Sequence, residues 1–139
     1  MDTVLTFTSN RFTPTPGELD EDHGEYINPG IYAKALADFL ETGLSSKGYT
    51  VSFRCPEDWG HWIEIAHPGP FKLALGCANT GDAPGGVAEH RIFVVPDKPV
   101  IHRFFRKIPV QAEVEKLVTT LRRILEESDH IGNIRTETA

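Results

Sequence analysis

The stretch that decides the fold runs Tyr49-Thr50-Val51-Ser52-Phe53-Arg54-Cys55-Pro56-Glu57-Asp58-Trp59-Gly60-His61-Trp62-Ile63-Glu64-Ile65. It resumes after a short interruption as Phe71-Lys72-Leu73-Ala74-Leu75-Gly76-Cys77. Tyr49, Val51, Phe53 and Cys55 alternate with polar neighbours, the period of a strand with one buried face, and Pro56 stops the ladder. Trp62 to Ile65 reads as a second strand, and Phe71, Leu73, Leu75 and Cys77 mark a third. His67-Pro68-Gly69-Pro70 between them is a turn signal. A connection this short cannot make a parallel crossover, so the pair is antiparallel.

Strands continue on both sides of this block. Ile92-Phe93-Val94-Val95 is a continuous apolar run, as expected of a strand buried on both faces. Val100 to Phe105 is a further strand candidate, and Leu5 and Phe7 mark an opening strand over Thr3 to Thr8. The tail from Asn133 to Thr138 reads either as a short edge strand or as frayed chain.

Two segments change to helical period. Asn28 is placed as an N-cap, with Pro29 at the first helical position and Tyr32, Leu36, Phe39 and Leu40 forming an apolar stripe. Gly48 is a C-terminal stop, and Gly43 weakens the last turn. This predicts a helix over 29–47. A second helix over 110–127, opened by Pro109, carries Val110, Val114, Leu117, Val118, Leu121, Ile124 and Leu125 on one side. Charged residues from Glu113 to Glu127 cover the other. The expected fold class is α+β: an antiparallel meander of about four to six strands with both amphipathic helices on one face. The 139 residues make one domain, with an acidic loop at 13–28 read as mobile.

Composition narrows the function classes. A net charge of -6 and a pI near 5.5 argue against nonspecific binding to nucleic acid or anionic membrane. No apolar run approaches the ~20 residues of a membrane span. The opening residues lack the basic and apolar regions of a secretion signal. Cys55 and Cys77 are expected as free thiols in the cytoplasm, and both close apolar alternations as buried structural cysteines do.

Four features carry the chemistry on offer. Trp59-Gly60-His61-Trp62 sets two indoles and an imidazole beside Glu57 and Asp58. Tryptophan is favoured at binding hot spots, although strand-end packing explains such clusters more often. The acidic loop holds Asp20, Glu21, Asp22, His23 and Glu25 but lacks the EF-hand spacing, so a solvated or partner-binding loop ranks above a metal site. The six histidines form no HxH or HExxH pair. Arg103, Arg106 and Lys107, interleaved with Phe104 and Phe105, form a basic segment. Its expected role is pairing with the chain's own carboxylates, then with an acidic partner, then with phosphate or nucleic acid. No GxSxG, P-loop or GxGxxG motif is present, so no catalytic residue, cofactor or metal is assigned.

Several stretches together resemble a group of small bacterial, proteobacterial-type proteins of unassigned function. They are Asn28-Pro29-Gly30-Ile31-Tyr32 leading into Leu36-Ala37-Asp38-Phe39-Leu40, then Glu57-Asp58-Trp59-Gly60, then Arg103-Phe104-Phe105-Arg106-Lys107-Ile108. The resemblance spans Phe12 to about Leu125. It implies a bacterial origin and transfers no activity.

The expected function is noncatalytic protein binding, in the manner of immunity proteins or secretion chaperones. The contact residues would be Asp20, Asp22, Glu25, Trp59, His61, Trp62, Arg103 and Arg106. A homodimer is compatible with this reading. The alternative is a small hydrolase or metal-assisted enzyme using Asp58, His61, Glu64 and Cys77 beside Trp59. It requires these groups to converge, whereas the odd separation of His61 and Glu64 along a strand predicts opposite faces.

Overall fold

A strand buries only every second side chain, so the alternating runs must share one covered face. The computed structural model describes residues 2–67, 71–79, 87–97 and 110–138. In chain order the elements are β1 (Asp2–Ser9), α1 (Pro16–Leu19), α2 (Lys34–Ser46), β2 (Thr50–Glu57), β3 (Gly60–Ala66), β4 (Lys72–Asn79), β5 (Ala88–Asp97), α3 (Val110–Glu126) and β6 (Ile131–Thr138). The strands form one antiparallel sheet in the order β2-β3-β4-β5-β1-β6. Thus β2 to β5 are the expected meander, and β1 and β6 extend it. Both long helices contact the sheet, and the α+β layout is the one the patterning predicts.

The covered face is apolar in register. Ile63 and Ile65 of β3, Leu73, Leu75 and Cys77 of β4, Ile92 and Val94 of β5, and Leu5 and Phe7 of β1 are all buried. The α3 stripe of Val114, Leu117, Val118, Leu121, Ile124 and Leu125 seals against them, with Leu36, Ala37, Leu40 and Leu44 of α2. Each large aliphatic side chain so buried contributes about 1.5–3 kcal/mol before chain entropy is counted. Gly43 allows α2 and α3 to approach closely, since a Cβ there would stand 2.7 Å from Cγ2 of Ile124. Gly48 ends α2 as predicted. With φ at +92°, it closes a Schellman pair in which Tyr49 N–H donates to the Leu44 carbonyl and Gly48 N–H to that of Ser45.

The structure corrects five readings of the sequence. Helix α2 begins at Lys34, not at 29, because Gly30 takes φ +79° and Asn79 holds both the Gly30 carbonyl and the Tyr32 N–H in a non-helical loop. Asn28 caps no helix; its amide donates to the Asp58 carbonyl. The acidic loop contains a helical turn, α1, fixed by a Thr15–Glu18 capping box. β2 runs through Pro56 to Glu57, which is tolerable because β2 is an edge strand. Finally, a bulge between Val51 and Phe53 breaks the alternation. Tyr49 and Val51 pack on the core, whereas Phe53 is 51% exposed and Cys55 only half-buried.

Two further outcomes complete the comparison. In β5, Ile92 and Val94 are buried while Phe93 and Val95 are half-buried, so the strand is not closed on both faces. The tail forms a complete edge strand on β1. The candidate strand at 100–105 lies outside the described residues.

Candidate functional site

The acidic loop and the Trp59 hairpin meet at one end of the sheet. Glu18 organises the loop side. One of its carboxylate oxygens accepts from Thr15 N–H at 2.9 Å and the other from Lys34 N–H at 3.1 Å, so a single buried residue caps both α1 and α2. Gly17 leaves room for the returning chain, since a Cβ there would collide with His23 and Glu25. Asp20 is partly committed to the loop: its side chain accepts from Asp22 N–H at 3.0 Å and its carbonyl from His23 N–H at 2.8 Å. Glu25 accepts from the Thr15 hydroxyl at 3.1 Å. Glu18, Leu19, Asp20, Glu21, Asp22, Tyr26, Pro29 and Gly30 line a shallow bowl in which Leu19 is 69% exposed.

Asn28 joins this bowl to the hairpin through its 3.0 Å bond to the Asp58 carbonyl. Across from it, the buried Asn79 at the end of β4 accepts from Tyr32 N–H at 3.0 Å and donates to the Gly30 carbonyl at 2.6 Å. Asn28 and Asn79 therefore tie the loop to the sheet.

The four residues of the Trp cluster divide between the two faces of the sheet. Trp59 lies on the face without helices, its ring 5.1 Å from that of Phe93 and its surface 36% exposed. Phe93 covers Gly76, where a Cβ would strike its ring, and the Arg91 guanidinium sits 5.4 Å from the ring centroid. Trp62 is on the same face and donates its indole N–H to Glu64 at 2.9 Å. Gly60 completes the hairpin, because a Cβ would meet the Cys77 carbonyl.

His61 points the other way. It is 9% exposed, and burial, reinforced by the Arg54 charge, pushes its pKa below the ordinary imidazole range against the pull of Glu18 and Asp38. Arg54 itself is clamped by Asp38 at 2.9 Å and Glu41 at 2.8 Å. Burial opposes ionisation of Asp38, yet the bonds from Lys34 and Arg54 prevail and hold its carboxyl below the usual range. Cys77, paired with His61 across the strands, is fully buried, and desolvation drives its thiol up to about 12. Burial and Glu57 also raise the Cys55 thiol. Neither cysteine is an activated nucleophile.

The hydrolase grouping does not assemble. His61 and Cys77 face the helices, whereas Glu64 and Trp59 lie on the opposite side. Among the described residues no three His, Cys, Asp or Glu side chains are grouped to hold a metal ion. Of the expected contact residues, Asp20, Asp22 and Trp59 are exposed and Glu25 and Trp62 half-buried, whereas His61 is buried against the helices and offers no surface to a partner. Arg103, Arg106 and Lys107 lie outside the described residues. No described helix is long and apolar enough to cross a membrane.

Sequence reasoning missed Leu19, Phe53 and Phe93 as surface contributors, and it missed His90. His90 is completely buried, stacked 5.3 Å from Phe7 and edge-on to Phe12 at 5.5 Å, and neither ring nitrogen has a hydrogen-bond partner. The available signal was its place in the alternation Ala88, His90, Ile92, Val94. Compared with protein-family models, with curated proteins and with solved structures, the chain matches none.

Proposed function

We propose that this chain is a noncatalytic protein-binding module, a small bacterial cytoplasmic protein whose acidic end engages a basic partner. The carrying observation is the junction of the acidic bowl with the Trp59 hairpin. Exposed Leu19 stands in the bowl with Asp20, Glu21 and Asp22, and half-exposed Trp59 follows exposed Glu57 and Asp58 in the hairpin, so each segment offers an apolar anchor beside exposed negative charge. An apolar centre within a charged rim is the usual anatomy of a protein interface. Glu18, Asn28 and Asn79 hold the loop in place beforehand, which lowers the ordering cost of association.

The test is affinity capture from a lysate of the source organism, using the wild-type chain and an Asp20→Lys/Asp22→Lys/Trp59→Ala variant. The expected result is a stoichiometric basic protein retained by the wild type and at least tenfold depleted with the variant. Its binding should also weaken as salt rises, because rim charges are screened. Recovery of no stoichiometric protein, or equal recovery by both chains, contradicts the proposal.

A further inference from the structure

β6 pairs only with β1, so among the described strands it is an edge of the sheet. The two edges of the sheet are built differently. β2 is obstructed by the bulge before Phe53, by Pro56 without its N–H, and by Arg54 tied down to α2. Those are the devices that keep an edge from pairing. On β6 the irregularity is confined to Asn133 and Ile134, which together oppose Phe7, with Asn133 at φ +53°. The second register shift puts its extra residue, Thr3, in β1, so β6 itself stays regular through Thr138.

We infer that a second copy of this chain pairs antiparallel on β6 about a two-fold axis beside Thr136, joining the two sheets into one. The axis stands perpendicular to the sheet and sets Thr136 against the partner's Thr136. Arg135 then faces the partner's Glu137, and Glu137 faces the partner's Arg135.

The helix layer obeys the same symmetry. Thr136 lines a groove with Glu115, Val118, Thr119 and Arg122, so the middle of α3 stands above it. The axis brings the two α3 helices side by side and antiparallel. Centred between Val118 and Thr119, it sets Glu115 against the partner's Arg122 and Arg122 against the partner's Glu115. Both layers are therefore self-complementary in charge, as an isologous interface requires, and every pair forms twice. In the free chain Arg122 bonds its own Glu126 at 3.2 Å and Glu115 its own Gln111 at 3.0 Å, both on the exposed helix surface. Exposed pairs of this kind are worth little, so exchanging them for partner contacts is inexpensive. This interface is separate from the acidic end, and neither requires the other.

The experiment measures mass and crosslinking of the full chain in a Cys55→Ser background. Light scattering is expected to give about twice the 15.5 kDa of one chain. Thr136→Cys should oxidise to a covalent dimer, because facing residues of antiparallel strands have Cα atoms about 4.5–5.5 Å apart, within disulfide range. Arg122→Glu should raise the dissociation constant at least tenfold, and Glu115→Arg/Arg122→Glu should restore it to within about threefold. Circular dichroism checks that each variant is folded. A monomer at every concentration overturns the inference. So does a dimer that neither crosslinks through Thr136→Cys nor responds to Arg122→Glu, and so does a monomeric chain whose β6 edge captures only an unrelated strand.

Discussion

Lowering the pH should destabilise this protein in a way that one side chain, His90, makes measurable. Its imidazole is 0% exposed, both nitrogens lack partners, and burial alone lowers its pKa from 6.5 to about 4. The folded state therefore prefers the neutral ring, while the unfolded chain takes up a proton near pH 6.5. Stability is complete above that value, falls as pH drops toward 4, and changes no further once both states are protonated. One unit of pKa difference corresponds to about 1.4 kcal/mol, so the full loss is about 3 kcal/mol, most of which develops between pH 7.5 and 4.5. The assay is urea unfolding across that range for the wild type and His90→Leu. Every other titrating group, His61 included, is common to both chains and cancels in the difference. At pH 7.5 the variant should be at least as stable, because leucine leaves no unpaired polar atom in the core. At pH 4.5 it should lead by about 2 kcal/mol or more beyond its lead at pH 7.5. Parallel pH profiles, agreeing within about 0.5 kcal/mol, would refute the reasoning.

Two further substitutions probe how the site is held. Asn79→Ala removes the acceptor for Tyr32 N–H and the donor to the Gly30 carbonyl, both at a buried position, and should cost about 2 kcal/mol in urea unfolding. It should also speed amide exchange at Tyr32, and a chain as stable and as protected as wild type would contradict that role. Gly43→Ala should lose about 1 kcal/mol in thermal unfolding despite alanine's better helix propensity, because Ile124 must shift to admit the methyl group; a gain in stability would show that α2 and α3 are not in tight contact.

The fold was legible where one rule acted alone. The stripe from Val114 to Leu125 has only one face to bury, and α3 follows it closely. β3 and β4 pair without a register shift, and their antiparallel pairing follows from a turn too short for a crossover. The reading failed where a distant residue decided the outcome. Asn28-Pro29 satisfies local helix-start chemistry, but Asn79, far along the chain, captures Gly30 and Tyr32 and delays the helix to Lys34. Phe53 and Cys55 continue an alternation by spacing, yet one extra residue in β2 turns them to the other face. The candidate site divides in the same manner. The acidic loop and both tryptophans were visible as composition, and the opposite facing of His61 and Glu64 followed from parity. That Asn28 bridges loop and hairpin, and that Glu18 caps two helices at once, required the tertiary structure.

Site-specific photocrosslinking in cells of the source organism tests the central claim most directly. A photoreactive residue at Leu19 or at Trp59 should trap the same basic protein, and one at Gln111 on the exposed surface of α3 should not. No adduct from positions 19 and 59, or the same adducts from all three, would contradict a partner seated on the acidic end.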